Sequence, residues 1–482
     1  MATEDRPARP RIAIAVLALC GMATSLQFTL VIPVVPEMPR LLSVSVDDAS
    51  WIVTATLLTS AIATPVLARM ADMYGKRRML CLSLAVLTMG SVVAAVGGGF
   101  VAVLLGRAMQ GFAAALIPVG ISLLRDALPP QRVGAAVALM SATLGTGSAL
   151  GMPLSGLLYG RFGWESLFWF SAVTGVVLVA AVLIAVPESP LRAPGRFDVV
   201  GALLLSVILT AALLVLSKGT RWGWGSGLVV GLLGVAAAGL LVWVPLQLRV
   251  ARPMVDLRTA VQRPVLLTNI ASVFATFAMF ANMLVTVQQV QAPEATGYGF
   301  GLSVVGAGLV MLPSGLAMVA LSPLSGALLT RFGGRPVLLL GCSVMAVAFV
   351  SRVFLDGNLT AIVIGATAVG VGTALAFAAM PTLIMAAVPV TETASANGIN
   401  SLVRSLGTSV CSALVALIAV SLPVWVDGAS FLSPAAVHLC FWVAAGSAAI
   451  AVVVGAFVPA VGYRAGDRIR LVGDDARPVT LA

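Results

Sequence analysis

The chain has 482 residues, of which 60% are hydrophobic and 10% charged, with a formal net charge of +10. An ordinary soluble domain carries about 25% charged residues and needs them to cover its surface. The composition therefore excludes a soluble enzyme, a disordered chain and a disulfide scaffold, and the basic excess is not gathered into one nucleic-acid-binding region.

A membrane-spanning helix needs about 20 largely apolar residues. Such runs occur fourteen times, the first seven being Ile12–Val34, Trp51–Met70, Leu80–Val96, Phe100–Leu124, Val133–Tyr159, Leu167–Val186 and Val199–Leu216. The other seven are Gly227–Leu246, Val265–Val287, Leu302–Leu324, Val337–Phe354, Thr360–Val388, Asn400–Leu422 and Ala435–Val458. The third run and the seventh–eighth pair are the weakest signals, so twelve or thirteen spans stay open. Strands of a membrane barrel are shorter and alternate in polarity, which these runs do not. The expectation is an all-α membrane protein.

Arg6, Arg9 and Arg11 precede the first run, which is too long for a signal-peptide core and has no small-residue cleavage site. It reads as an uncleaved first helix. With the N-terminus inside, 21 of the 28 Lys and Arg fall on cytoplasmic connections, five (Arg40, Arg161, Lys218, Arg221 and Arg352) outside, and Arg107 and Arg404 within helices. This asymmetry predicts both termini in the cytoplasm of a cell-membrane protein, and it accounts for the basic charge by an anionic lipid surface, without nucleic acid. Trp51, Trp164, Trp222, Trp224 and Trp425 fall at predicted outer ends, as an interfacial belt requires. The five cysteines lie in apolar runs and read as small core residues. No G-x-x-x-x-G-K-[ST] phosphate loop occurs, and no His cluster or paired acids lie in the helices. A nucleotide-driven pump, an intramembrane enzyme, a metal and a cofactor are not expected.

Two loops are alike. Pro65 to Leu80 reads PVLARMADMYGKRRML and Pro323 to Leu338 reads PLSGALLTRFGGRPVL, aligning Pro65 with Pro323, Gly75 with Gly333 and Arg77 with Arg335. One follows run 2 and the other run 10, as a parallel repeat of two six-helix bundles with two extra helices between them would place them. The domains expected are an N-terminal bundle 1–186, a linker with two extra helices 187–264, a C-terminal bundle 265–460 and a cytoplasmic tail 461–482.

Several motifs carry a family resemblance over nearly the whole chain. Ala68 to Arg77 resembles G-x-L-A-D-x-x-G-[RK]-[RK]; Arg107 to Gly111 resembles R-x-x-Q-G; Gly147 to Gly156 resembles the fifth-helix antiporter motif; Phe197-Asp198 and Arg404 also fit. The chain resembles a major facilitator superfamily transporter of the fourteen-helix drug–proton antiporter (EmrB/QacA-like) type. The resemblance implies that fold, a small-molecule cargo, a proton gradient or membrane potential as driving force, and efflux of a drug or antibiotic. It also implies a gate loop at Asp72, Gly75, Lys76 and Arg77 that latches the two halves on the cytoplasmic side. Gly75 permits the tight turn, and Asp72 can pair with a basic side chain or a helix N-terminus.

Other residues are read from their own chemistry. Gly147, Gly151, Pro153 and Gly156, with Gly145, offer close helix approach and a bend, hence a seam between the halves. Arg107 lies about 12 Å into its helix, too deep to snorkel easily, with Gln110 and Gly111 on the same face. It either lines a wet cavity or anchors backbone carbonyls. Asn397, Ser401, Arg404 and Thr408 form one polar stripe, which either faces the transport cavity or bonds between helices with Arg404 snorkelling. Asn282, Gln288 and Gln289 are further outer-cavity candidates, and His438 reads as interfacial. None of the 18 acids falls in the middle of a run, and Gln27 stands where relatives carry the aspartate of L-D-x-T. An amide hydrogen-bonds but does not titrate. Two intramembrane arginines and no acid favour an anionic cargo, such as a β-lactam-like carboxylate. The alternatives are an importer or facilitator of a metabolite and a non-transporting membrane sensor; the oligomeric state is not legible.

Overall fold

The computed structural model describes residues 10–426 and 429–459. Arg6, Arg9 and the tail 461–482 lie outside the described residues. The first spans are α1 (Pro10–Val31), a short α2 (Met38–Leu42), α3 (Val46–Tyr74), α4 (Lys76–Val96), α5 (Phe100–Gln110) with α6 (Leu116–Ala127), α7 (Pro130–Phe162) and α8 (Glu165–Ala185). Then come α9 (Val199–Trp222), α10 (Gly227–Arg249), a single turn α11 (Leu257–Ala260) and α12 (Arg263–Gln291). The chain continues with α13 (Val304–Ala320), α14 (Ser322–Phe332), α15 (Gly334–Phe354), α16 (Leu359–Ala387), α17 (Thr393–Ser421), β1 (Pro423–Val426), β2 (Ala429–Leu432) and α18 (Pro434–Ala456). Thirteen helices are long and apolar enough to cross a membrane, and the pair α13/α14, bent by 43°, supplies the fourteenth span.

The departures from the expected segments have local causes. The second span begins at Val46 and not Trp51, because the Ser45 hydroxyl caps the amide of Asp48 at 3.0 Å and Asp47 and Asp48 occupy the first turn. The fourth span is interrupted by a tight 3-10 turn, Gly111–Ala115, where it touches α3. A Cβ on Gly111 would lie 2.1 Å from Thr59 Oγ1, and Ser60 Oγ donates to the Gly111 carbonyl at 3.1 Å, drawing it out of the helical ladder. The tenth span bends at Leu321 because Pro323 lacks an amide proton and its ring crowds the preceding turn. Between the last two spans a hairpin, β1–β2, pairs Pro423 with Leu432 and Val424 with Phe431, an addition to the expected all-α chain.

The main buried clusters form chiefly within α1–α8, around Leu17, Leu84, Leu116 and Val137 and around Leu30, Ile52 and Phe168, and within α12–α18, around Phe349, Phe441 and Val415. A smaller cluster of Ala142, Met318 and Ala374 crosses between the two sets. The α9/α10 pair stands apart. α9 packs on Ile62 and Val66 of α3 and on Ile399 and Leu402 of α17, covering the line where these helices meet, while α10 presents mostly exposed residues. The bundle has one end rich in Lys and Arg, bearing Arg69 to Arg78, Arg125 and Arg132, called the basic end below.

Candidate functional site

At the basic end the loop between α3 and α4 meets the start of α17. The buried Asp72 carboxylate accepts from the amides of Ala394 at 3.2 Å and Ser395 at 2.7 Å and from Ser395 Oγ at 2.6 Å. These first-turn amides have no acceptor within their own helix, and the helix terminus favours negative charge. Lys76 lies 3.9 Å from Asp72 and makes a short bond to Asp126, which also accepts from Ser189 at 2.6 Å. Burying Lys76 to 1% exposure is tolerable only with these carboxylates beside it. The loop is thus an enclosed charge cluster, with Asp72 on a helix N-terminus and beside a basic side chain. Gly75 has φ +122°, and a Cβ there would lie 2.8 Å from Glu188 Oε2. Glu188 in turn accepts from the Arg77 amide at 3.1 Å, while the Arg77 side chain donates to the Leu183 carbonyl. Arg69–Glu392 at 3.5 Å and the Ser122–Thr393 hydroxyl pair add further contacts across the same end.

Arg107 is 1% exposed and is bonded to carbonyl oxygens through Nε and one terminal nitrogen. Its Nε donates to Ile52 O at 3.3 Å, and one terminal nitrogen donates to Gln27 O at 3.3 Å and to Gln110 Oε1 at 2.8 Å. Gln110 Nε2 donates to Ser91 Oγ at 2.8 Å, and Thr56 Oγ1 to the Arg107 carbonyl at 3.0 Å. Of the two readings open from the sequence, this geometry is that of the carbonyl anchor: Arg107 ties α1, α3 and α5 together. Gly111 belongs to the same junction. Gln27 offers Arg107 its main-chain oxygen, and its side-chain amide makes no hydrogen bond among the described residues.

Arg404 is placed differently. α17 starts at Thr393, seven residues before the expected Asn400, so Arg404 sits eleven residues into the helix, about 16 Å along its axis. That is too deep for the snorkelling reading. Its guanidinium lies 4.8 Å from the centre of the Phe377 ring on α16, and among the described residues it has no acid or hydrogen-bond partner. Ser401, one turn earlier, is also half-buried without a partner there. Asn397 is buried; its Nδ2 donates to Thr393 O at 2.8 Å and its Oδ1 has no partner.

The small-residue motif of α7 faces two ways. A Cβ on Gly147 would fall 2.1 Å from Ser25 Oγ and one on Gly151 1.9 Å from Thr29 Oγ1, so both pack against α1. The other face meets α13: Pro153 touches Gly308, Gly156 faces Val305, and Thr146 Oγ1 donates to Gly315 O at 2.9 Å. The four residues expected to form one seam thus divide, Gly147 and Gly151 inside the N-terminal set, Pro153 and Gly156 between the sets.

Two basic residues assigned to external connections are buried. Arg352 is 1% exposed, donates to Asn282 Oδ1 at 2.6 Å and to Gln289 Oε1 at 3.5 Å, and stacks on Phe441 at 4.2 Å. Lys218 is 3% exposed, pairs with Asp47 at 3.2 Å, bonds to Ser50 and lies 4.7 Å over the Trp51 ring. Their neighbours at helix ends, Phe354 and Arg221, gave them the look of loop residues. Arg352 makes three intramembrane arginines where the sequence showed two. Trp164 is buried against Phe168, not interfacial, whereas Trp224 and Trp425 are exposed. His438 pairs with Asp356 at 2.9 Å. Among the described residues all five cysteines are free, no group of His, Cys, Asp or Glu could hold a metal, and every acid lies near a helix end.

Comparison with known proteins assigns the family. The sequence model of the Major Facilitator Superfamily matches residues 17–289 and 265–478. The multidrug resistance protein Stp of Mycobacterium tuberculosis is 30% identical over 380 residues, 78% of this chain and 69% of that protein. The tetracenomycin C resistance and export protein of Streptomyces glaucescens is 26% identical over 416 residues, 85% of this chain and 76% of that one. In fold, the human organic anion transporter MFSD10 superposes with a TM-score of 0.65 at 14% identity, covering 93% of this chain and 99% of its own. The proton:xylose symporter XylE does so with a TM-score of 0.66 at 14% identity, covering 93% and 96%. With thirteen to fourteen candidate spans and a family match along most of its length, this chain belongs to the major facilitator superfamily of membrane transporters.

Proposed function

We propose that the protein exports a drug-like or natural-product anion by alternating access. In this reading residues 1–186 and 265–460 are the two rocking bundles, 187–264 carries the two extra helices, and the basic end faces the cytoplasm. The observation that carries the cargo's sign is Arg404: a guanidinium near mid-helix, stacked on Phe377 and without an acid among the described residues. An arginine so placed is costly in a membrane unless it meets water or an anionic partner. Arg107 and Arg352 each donate to protein oxygens, although Arg352 Nε is buried without one, whereas Arg404 donates to none among the described residues and is the cation proposed to receive cargo. Ser401, Asn397 and Gln27 bring partnerless polar atoms suited to orienting it. The relatives' names, multidrug resistance and tetracenomycin C resistance and export, support the outward direction.

The energetics are sufficient without a titrating mid-span acid. With the interior negative, outward movement of one negative charge gains about 2.3 kcal/mol per 100 mV, more than the ~1.4 kcal/mol that a tenfold accumulation needs. A proton-coupled cycle would instead have to use an acid at a span end, such as Asp126 or Glu392. Uptake of paired anionic and cationic substrates into everted vesicles, where export appears as accumulation in the lumen, tests the proposal under an imposed potential or an imposed pH gradient. Arg404→Ala should lower anion efflux at least tenfold while sparing cations, with Arg404→Lys intermediate. A wild-type preference for cations, equal loss of both, or transport in the inward direction only would overturn it.

A further inference from the structure

Beyond the Arg404 region, the end of the bundle opposite the basic end holds a cavity of about 500 Å³. That lies within the roughly 300–1,000 Å³ of small-molecule sites. It sits beneath the β1–β2 hairpin, between the last turn of α12, the loop before α13 and the last turn of α17. Its lining includes Gln288, Gln291, Tyr298, Trp425 and Phe431. The walls are braced. The Gly301 amide donates to Ala292 O at 2.8 Å, Leu302 to Val290 O at 2.9 Å and Ser433 to Leu422 O at 3.1 Å. Leu432 is 4% exposed and anchors the hairpin in the core around Phe441.

Four polar groups on this lining have no hydrogen-bond partner among the described residues: the Gln288 and Gln291 amides and the Tyr298 and Ser430 hydroxyls. By contrast, the interior amides of Gln110 and Asn282 are bonded. Besides the phenol no lining side chain is ionisable, and burial pushes Tyr298 up to about 12, so it stays a neutral donor. Three aromatic rings supply stacking faces. A charged guest would find no counter-charge among the lining side chains, and a lipid tail would leave the polar groups unpaired.

We propose that this cavity is a second binding site, separate from the Arg404 region, for an uncharged aromatic molecule bearing hydroxyl or carbonyl groups. Its ring packs against Tyr298, Trp425 and Phe431, and its polar atoms bond to Gln288, Gln291 and the Tyr298 hydroxyl. The test uses the full chain in lipid nanodiscs with 2-naphthol as probe, and with 2-naphthalenesulfonate and 2-naphthylmethylammonium as charged counterparts. Binding is followed by equilibrium dialysis and by quenching of the Trp425 emission, defined as the difference from Trp425→Phe. The expected result is one saturable site, at least tenfold tighter for 2-naphthol than for either charged probe. Tyr298→Phe, which removes only the hydroxyl, and Gln291→Leu should each weaken it about 3- to 10-fold. Arg404→Ala should leave it unchanged even if anion efflux is lost, so the two proposals fail separately. The inference is overturned by absent saturation, by equal binding of the charged probes, by no effect of Tyr298→Phe and Gln291→Leu, or by loss in Arg404→Ala instead.

Discussion

Replacing Asp72 with asparagine isolates the contact that joins α3 to α17. The carboxylate accepts two amide protons and one hydroxyl proton from Ala394 and Ser395. Asparagine retains one acceptor oxygen but turns an amide NH2 toward a donor, and it removes the charge from the helix terminus. Hydrogen bonds to charged groups contribute about 1.5–3 kcal/mol and the terminus effect reaches ~2 in buried geometry. Remaining contacts at this end, Arg69–Glu392 and Ser122–Thr393, offset part of the loss. A net weakening of about 2 kcal/mol, or ~30-fold, follows. Hydrogen exchange reads it directly, because first-turn amides have no intrahelical acceptor and owe their protection to Asp72. Exchange at residues 394 and 395 should therefore rise about 30-fold in Asp72→Asn and about fivefold in Ser395→Ala, which loses only the hydroxyl bond. Unchanged exchange there, or an equal rise along all of α17, would refute the reasoning.

Arg107→Met should lower thermal stability in detergent by about 2–4 kcal/mol, since it removes the hydrogen bonds that tie α5 to the Ile52 and Gln27 carbonyls of α3 and α1 and leaves Gln110 Oε1 unbonded in the interior; a melting temperature equal to wild type would contradict this. Gly151→Ala should cost about 1–3 kcal/mol through collision with Thr29 Oγ1, and adding Thr29→Gly should restore much of it. Failure of that rescue in a double-mutant cycle would place the strain elsewhere. Asp47→Ala leaves Lys218 buried without its carboxylate and should destabilise more than the double change Asp47→Ala with Lys218→Met. Thermal shift of the three variants gives the comparison, and additive losses would count against a coupled pair.

The spans were legible because an apolar run of about 20 residues has one physical reading in a bilayer. Details set by partners were not. Arg352 and Lys218 lie a few residues from helix ends, and only Asn282, Gln289 and Asp47 on other helices show that they turn inward. Arg404 looked shallow because Thr393-Ala-Ser-Ala-Asn reads as a polar approach to a helix, yet it is the helix's first turns, held by Asp72. The division of the α7 motif was readable in principle. Positions 147 and 151 are four apart, while 149, 153 and 156 follow a second face of the same 3.6-residue period. The hairpin also has a trace in the sequence, Asp427-Gly428 between β-branched and aromatic residues, a two-residue turn signal weaker than the surrounding hydropathy pattern.

The two similar loops do not do equal mechanical duty. Where the first has Asp72, the second has Thr330, whose hydroxyl bonds within its own helix to Gly326 and Ala327. On that side α7 meets α14 through small residues, with Gly326 against Ala135 and Gly134 near Leu329. Under the proposed rocking motion the basic end then resembles a door with a clasp on one edge and a hinge on the other. Opening would be a peel that begins at Asp72 and pivots about the smooth α7–α14 edge. A peel breaks its bonds in succession, so its barrier is set by one edge and not by the whole closed face. A cargo molecule that disturbed only that edge could release the rest.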